Sequence, residues 1–549
     1  MNSPGYDIET GVRWRIFAFL PALSCVLAQT YVGSRACATC HADIYKSFSR
    51  SAMGRSMSLP SGLTLEQPAT VYNAKLDRYF GVFRRDGNWY QSEYALEGQT
   101  RTFENTQKID FVMGTGENGW SFLVRRGESL VEAPLSFYAK PKKWDLSPGF
   151  EAEDVGFNRP IQEACIACHS GRANSVRGRN GVYGSPTFHE LAVGCENCHG
   201  PGGDHMKGNR HAIVNPGALE PRLAEDICMN CHQAGNARIL QPGKTYSDFR
   251  PGMPLRETLA IFKLPQTGEA DLLEHNAAMK ASKCFRESNG KLSCLTCHDV
   301  HAQIEVAQKS EFYRARCLTC HNNQSCKLPL AKRVSNRGND CAGCHMPKRA
   351  NTQIAHSALT NHRIIARPDE PPSSSDAIER FADLPGIVYV NGPRGQTDSR
   401  LPLLTRLTAY GELSAQQPQL EAQYWKLLQQ AETALPQEPL VRAALGRKAL
   451  RDQHYQEAIR LLTGATAAAS VLDLTKALKL AGKEAESAPV LEHAVTLNPL
   501  DKTLRKTLIL IYIDLKQYNT AKAAMQDYLA AFPEDSFMRG LLRKIDSGR

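Results

Sequence analysis

The chain has 549 residues, 42% of them hydrophobic and 22% charged, with a formal net charge of +10 and 17 cysteines. Past the N-terminal segment, no stretch reaches the roughly 18 apolar residues that a bilayer-spanning helix needs, which excludes a polytopic membrane protein and leaves a soluble or peripheral chain. A basic excess of this size would by itself suit nucleic acid or an anionic membrane; the distribution of the cysteines decides otherwise.

At the start, Arg13 and Arg15 precede a largely apolar run over residues 16–27, and VLA at 26–28 has small residues where a signal peptidase reads. This predicts a signal peptide over residues 1–28 and export to the periplasm or exterior of a bacterium. Cys25 sits inside the run, in ALSC, a poor match to a lipid-attachment site.

From there the chain spells Cys-x-x-Cys-His seven times: CATCH (37–41), CIACH (165–169), CENCH (195–199), CMNCH (228–232), CLTCH (294–298), CLTCH (317–321) and CAGCH (341–345). Chance placement at this cysteine and histidine content yields on the order of 0.01 such matches per chain, so the set is no accident. A zinc knuckle closes its metal with paired CxxC units and needs no histidine after each, and a thioredoxin-like motif does not recur sevenfold. Covalent attachment of c-type haem does need this order: two thiols add across the porphyrin vinyl groups, and the adjacent histidine takes the iron. The attachment residues are then Cys37, Cys40, Cys165, Cys168, Cys195, Cys198, Cys228, Cys231, Cys294, Cys297, Cys317, Cys320, Cys341 and Cys344, with His41, His169, His199, His232, His298, His321 and His345 as proximal ligands. Seven covalently bound haems bring fourteen propionates, which leave a holoprotein of about +3 oxidised and about −4 reduced. The basic excess is thus mostly propionate counter-charge, and redox proteins rather than nucleic acid are the expected partners.

Between the first two motifs, VYNAKLDRYFGVFRRDGNWYQSEYAL turns at Asp86-Gly87, and GWSFLVRRGESLVEAPLSFY turns near Arg126-Gly127. Both read as hairpins, which predicts a β-rich insertion at about 68–140. The motif-bearing stretches are otherwise rich in Gly, Pro, Asn and charge, so short helices and loops would wrap haem instead of an ordinary apolar core. RPDEPPSSSD (367–376) reads as a linker, placed at 367–397 after a haem domain over 29–366. Residues 398–549 contain no cysteine and read as amphipathic helix pairs; Pro499 and Pro533 close similar phrases 34 residues apart. Gly446, Tyr455 and Ala458, then Tyr512, Tyr518 and Ala521, fall where a tetratricopeptide repeat packs its helices. Such a solenoid would be a docking surface or a spacer.

What fills the sixth position of each iron separates an electron carrier from a catalyst. The histidines outside the motifs and before the linker are His189, His205, His211, His275, His301, His356 and His362, enough to close every haem. His205 in CENCHGPGGDH and His301 in CHDVH lie too close to their own motif to serve it and are expected to reach a neighbouring haem. The first motif has no histidine nearby; Met53 in SAMGRSM is a candidate thioether ligand, with simple packing as the alternative. Cys284 and Cys326 remain, either as a disulfide or as two free thiols.

YVGSRACATCHADIYKSF with SAMGRSM, GTGENGWSFLVRRG, WDLSPGFE, CLTCHDVH and CAGCHMPKR with HSALTNHR together resemble multihaem cytochromes c with C-terminal tetratricopeptide repeats, and through them the nitrifier tetrahaem cytochromes and the hydroxylamine oxidoreductase and pentahaem nitrite reductase group. The resemblance implies a mainly α and irregular multihaem cytochrome c fold with a β-rich insertion, followed by an all-α tetratricopeptide-like solenoid, and implies distal ligation by His205 and His301. Every motif here ends in His, so the lysine-ligated catalytic haem of the nitrite reductases has no counterpart, and no signal marks the tyrosine cross-link of hydroxylamine oxidoreductase. The expected function is electron transfer. A reductase of small nitrogen or sulfur compounds at an open haem is the enzymatic alternative, and a haem-stabilised scaffold the non-redox one.

Overall fold

The computed structural model describes residues 30–65, 68–150, 155–232, 235–265, 275–348, 360–367, 370 and 380–547. The expected signal peptide, Cys25 and His356 lie outside the described residues. Among those described, no helix is long and apolar enough to cross a membrane.

The β-rich insertion is larger than its hairpin signals suggested. It comprises β1 (Met57–Ser58), β2 (Ala69–Asn73), β3 (Arg78–Arg85), β4 (Asn88–Glu97), β5 (Thr100–Lys108), β6 (Phe111–Met113), β7 (Gly119–Arg126), β8 (Ser129–Glu132), β9 (Leu135–Tyr138) and β10 (Lys143–Leu146). Strands β2 to β5 form an antiparallel meander, whose β3–β4 turn puts Asp86 at φ 50° and Gly87 at φ 75°, the positive pair a two-residue hairpin needs. A second sheet runs β1-β6-β7-β8 and ends on β11 (Arg159–Pro160), with β9 and β10 branching from β7. Phe80, Val82, Trp89, Phe122, Val124, Leu135, Trp144 and Phe157 fill the core between the sheets, so this module folds around its own side chains and not around haem. Two small sheets follow: β12 (Arg172–Ser175) with β13 (Tyr183–Glu190), and β14 (Ala237–Leu240), β15 (Leu259–Lys263) and β16 (Val388–Tyr389).

Short helices carry the motifs: α1 (Ser34–Cys37), α3 (Glu163–Ile166), α4 (Glu196–His199), α6 (Pro221–Met229), α9 (Cys294–Cys297), α10 (Lys309–Cys317) and α12 (Cys341–His345). Between them lie α2 (Ala42–Phe48), α5 (Gly203–Met206), α7 (His275–Ala281), α8 (Lys283–Glu287) and α11 (Leu330–Arg337).

The C-terminal part is an antiparallel helix array: α13 (Leu403–Ser414), α14 (Glu421–Ala434), α15 (Pro439–Arg451), α16 (Tyr455–Leu462), α17 (Ala468–Leu480), α18 (Ser487–Leu497), α19 (Lys502–Asp514), α20 (Tyr518–Ala531) and α21 (Ser536–Asp546). Helices α17, α19 and α21 begin 34 residues apart. Close crossings need small residues: a Cβ on Gly446 would lie 2.5 Å from the Leu462 side chain, and Ala458 and Ala521 are fully buried. Tyr512 is buried as expected, but Tyr518, at the first position of α20, is exposed.

The expected linker over 367–397 is corrected in its described part. Residues 380–397 leave the Pro- and Ser-rich phrase for an apolar one, and Phe381, Leu384, Ile387 and Tyr389 join Ala237, Ile239, Ala260 and Phe262 of the β14–β16 sheet in one core with Leu407, Tyr410, Leu413 and Leu427 of the array. The far end of the array is fastened too. Leu500 packs into the core of the insertion, Arg78 donates to the Glu534 carbonyl at 3.4 Å, and Arg126 donates to that of Ala531 at 3.5 Å. The array is clasped at both ends by the motif-bearing part.

Two expectations follow. Phe262→Ala, in the shared core, should cost about 3–5 kcal/mol, and urea unfolding followed by far-UV dichroism and by haem absorbance should give one coincident transition. Two separated transitions would show that the array folds on its own. Glu132 on β8 is buried, and burial lifts its carboxyl to about 7 against the opposing pull of Arg159 at 3.2 Å. Its folded state therefore binds more protons than the unfolded one between the ordinary carboxylate range and pH 7, so stability falls as pH rises through that window. The slope should be absent in Glu132→Gln.

Candidate haem centres

The histidine N–H donates to the carbonyl of the first cysteine in the first, third, fourth, fifth and sixth motifs, His41 to Cys37 at 2.9 Å, His199 to Cys195 at 3.0 Å, His232 to Cys228 at 2.7 Å, His298 to Cys294 at 3.0 Å and His321 to Cys317 at 3.0 Å, and the seventh motif is itself the helix α12 (Cys341–His345). That bond closes one turn, which brings both thiols and the imidazole to the same side. The second motif turns more tightly, with the His169 N–H on the Ile166 carbonyl at 3.1 Å.

Thiols of different motifs then meet. Cys37 is hydrogen-bonded to Cys195, Cys168 to Cys231, Cys228 to Cys294, and Cys317 to Cys341. Cys231 also lies within electrostatic reach of Cys198, and Cys297 of Cys320. Burial pushes the Cys37 thiol up to about 12, with Cys195 adding to the rise. Cys168 is drawn down to about 6, chiefly by its hydrogen bond with Cys231 and then by Arg238, whose guanidinium is 4.0 Å from the sulfur. The thiol pairs join the first motif to the third, the second to the fourth, the fourth to the fifth and the sixth to the seventh, while the third lies near the fourth and the fifth near the sixth. Cys284 and Cys326 are both free thiols, and Cys284 lies near Cys297 and Cys320.

The histidines pair across motifs as well. The ring centroids of His41 and His205 are 6.5 Å apart with planes at 15°, those of His199 and His301 5.9 Å at 10°, those of His232 and His275 5.6 Å at 82°, and those of His298 and His362 6.3 Å at 29°. Two metal–imidazole bonds of about 2 Å each, plus half a ring on either side, put centroids about 6 Å apart. All four pairs therefore have the spacing of imidazoles that share one iron. His275 and His362, on neighbouring pairs, touch at 4.5 Å.

The chemistry of the donors fits haem iron. The imidazoles of His199, His232, His275, His298 and His362 are pushed below the ordinary range, first by desolvation and then by neighbouring histidines or despite a hydrogen-bonded carbonyl; His275 is lowered to about 3. Neutral imidazole is the form that offers a lone pair to iron. His41, His232 and His298 keep exposed surface. Carbonyls orient several rings by accepting from Nδ1: Val214 for His199 at 2.8 Å, Ile365 for His345 at 2.7 Å and Thr360 for His362 at 2.9 Å. The Nδ1 of His205 is buried with no hydrogen-bond partner.

Sequence reasoning missed what holds the first pair in place. The Glu196 carboxylate accepts from the N–H groups of Val32 at 2.9 Å, Gly33 at 2.8 Å and Gly202 at 2.8 Å, while Glu190 accepts from Ser34 at 2.9 Å. Gly203 donates to the Thr30 carbonyl at 2.9 Å, an approach where a Cβ would sit 2.8 Å from that oxygen. This clamp seats the first motif on the CHGPGG loop of the third. A glutamate inside a CxxCH motif was the available signal.

Other expected site residues stand apart. His189 on β13 and His211 are exposed, and neither faces another imidazole among the described residues. Met53 is half-buried in the turn after α2, where its carbonyl accepts from Ser56, and the ring opposite His41 is that of His205.

The family model for cytochrome c554 and c-prime matches residues 148–200, which include the second and third motifs. Multiheme cytochrome MtrA of Shewanella baltica is 22% identical over 253 residues, covering 43% of this chain and 69% of its own. The chain is thus similar to multihaem c-type cytochromes. C-type polyheme cytochrome OmcB of Geobacter sulfurreducens is 24% identical over 163 residues, 29% of this chain and only 20% of OmcB. The solved structure of outer cell wall cytochrome OcwA is 15% identical with a TM-score of 0.38, covering 86% of this chain and 99% of its own. Haem iron, electron transport and redox partner proteins come with the multihaem cytochromes as a group.

Glu196→Ala orphans three backbone donors and should destabilise the protein by roughly 2–3 kcal/mol, read as a lowered thermal midpoint. An unchanged midpoint would mean that the clamp carries no load.

Proposed function

We propose that this protein carries seven covalently attached haems, one at each CxxCH motif, and serves as an exported electron carrier of the bacterial periplasm or cell surface. The observation that carries the reading is the set of four histidine pairs, 5.6–6.5 Å apart, each joining a motif histidine to one from elsewhere in the chain. In this reading His205, His301, His275 and His362 are the distal ligands of the first, third, fourth and fifth haems, with His356, His189, His211 and Met53 left as candidates for the others. Bound haems supply one-electron exchange at iron, with potentials set by axial ligands and surroundings. The chain's own part is to orient the paired imidazoles, so that closed irons change little on electron transfer, and to bring the attachment segments of neighbouring haems together. The thiol contacts support a path first–third–fourth–fifth–sixth–seventh with the second haem beside the fourth. Export is supported by the charged and apolar N-terminal segment.

The helix array is proposed as a tetratricopeptide-like docking surface for a redox partner. Its support is the exposed apolar side chains of Leu440, Leu480, Leu510 and Phe537 on the alternate helices α15, α17, α19 and α21, of which α15 and α17 are joined by Arg447–Asp473 (2.8 Å) and α17 and α19 by Lys479–Asp514 (2.6 Å).

Mass spectrometry of the purified protein should show seven haem additions. His205→Ala should keep all seven, because Cys37, Cys40 and His41 remain, while converting one haem's worth of low-spin ferric EPR signal to high-spin. No new high-spin signal would remove His205 as a ligand. A wild-type protein with a high-spin signal that shifts on adding nitrite or hydroxylamine would favour an enzyme over a carrier.

A further inference from the structure

His298 differs from the other motif histidines in what faces its Nδ1. Where His199 and His345 have backbone carbonyls at 2.8 and 2.7 Å, His298 has the phenol oxygen of Tyr313 at 3.4 Å, with the two rings 5.6 Å apart at 71°. For His298 the Nδ1 partner is thus a side chain. Tyr313 lies in the middle of α10, four residues before Cys317. The helix that delivers the first cysteine of the sixth motif therefore also touches the proximal ligand proposed for the fifth haem.

We infer that Tyr313 is a positioning residue for the fifth haem, holding the His298 ring through Nδ1 and keeping that haem's potential above the value a carbonyl partner would impose. The inference rests on the proposed ligation of iron by His298. An imidazole bound through Nε2 carries its proton on Nδ1, so the Nδ1–H donates and the phenol oxygen accepts. The stronger the acceptor, the more electron density moves onto the imidazole and the more the ferric state is favoured. A phenol oxygen at 3.4 Å is a weaker acceptor than a carbonyl at 2.8 Å. The same contact fixes the ring plane, with His362 on the other side at 6.3 Å. Since α10 moves with the sixth motif, the fifth and sixth haems would share one rigid mount, and the step between them would depend on Tyr313.

The test is a spectroelectrochemical titration of the full-length, haem-loaded protein, with haem counting and low-spin EPR run in parallel. Tyr313→Phe removes the acceptor and should shift one haem's potential upward; Tyr313→Gln offers an amide carbonyl and should shift the same component downward. The other components should stay in place in both variants, and haem content should be unchanged. A titration unmoved in both variants at full haem content overturns the inference and leaves the carrier reading standing, as does a uniform shift of all components, which would mark a structural role. A wild-type protein lacking haem at the fifth motif overturns both.

Discussion

The structure depends on one recurring event, a histidine carried in by a later segment coming to face the histidine of an earlier motif at the span of one iron. His205 follows the third motif and meets the first; His301 follows the fifth and meets the third; His362 follows the seventh and meets the fifth. Each pairing ties segments far apart in sequence, and the first and third motifs also bring thiols together, Cys37 with Cys195. A chain with short helices and few apolar runs in this region gains its tertiary order from such links, with porphyrin as the apolar filling.

Around these links the two conventionally packed modules act as a frame. The β-rich insertion has a core of its own with Trp89, Phe122 and Trp144 at its centre, and the helix array completes the core of the β14–β16 sheet. Because the array is held at one end by that sheet and at the other by Arg78, Arg126 and Leu500, a partner seated on it would be positioned relative to the haem motifs without a flexible tether. That constraint changes the meaning of the array from an appended module to part of the support.

Much of the site was legible in local spacing. The CxxCH turns need only neighbours in sequence, and the backbone bond from histidine to first cysteine recurs in the first, third, fourth, fifth and sixth motifs. The hairpin at Asp86-Gly87 was legible for the same reason, since its φ angles are set by two residues. The Glu196 clamp was not, because its acceptor and its donors at Val32 and Gly33 are more than 160 residues apart. Nor was the end of the linker, where composition changes within a few residues and only the β15–β16 pairing shows that the chain has returned to a sheet.

By itself, then, the sequence determined the number of attachment motifs, the cysteines and histidines that compose them, the haem chemistry they point to and the split between a cysteine-bearing part and a helical part, because each rests on residue type and short spacing. Tertiary structure decided which histidine faces which, that motif neighbours in space are not always neighbours in sequence, and that the array is clasped instead of tethered. Those outcomes depend on contacts between segments whose separation along the chain carries no periodic signal, and only packing makes them adjacent.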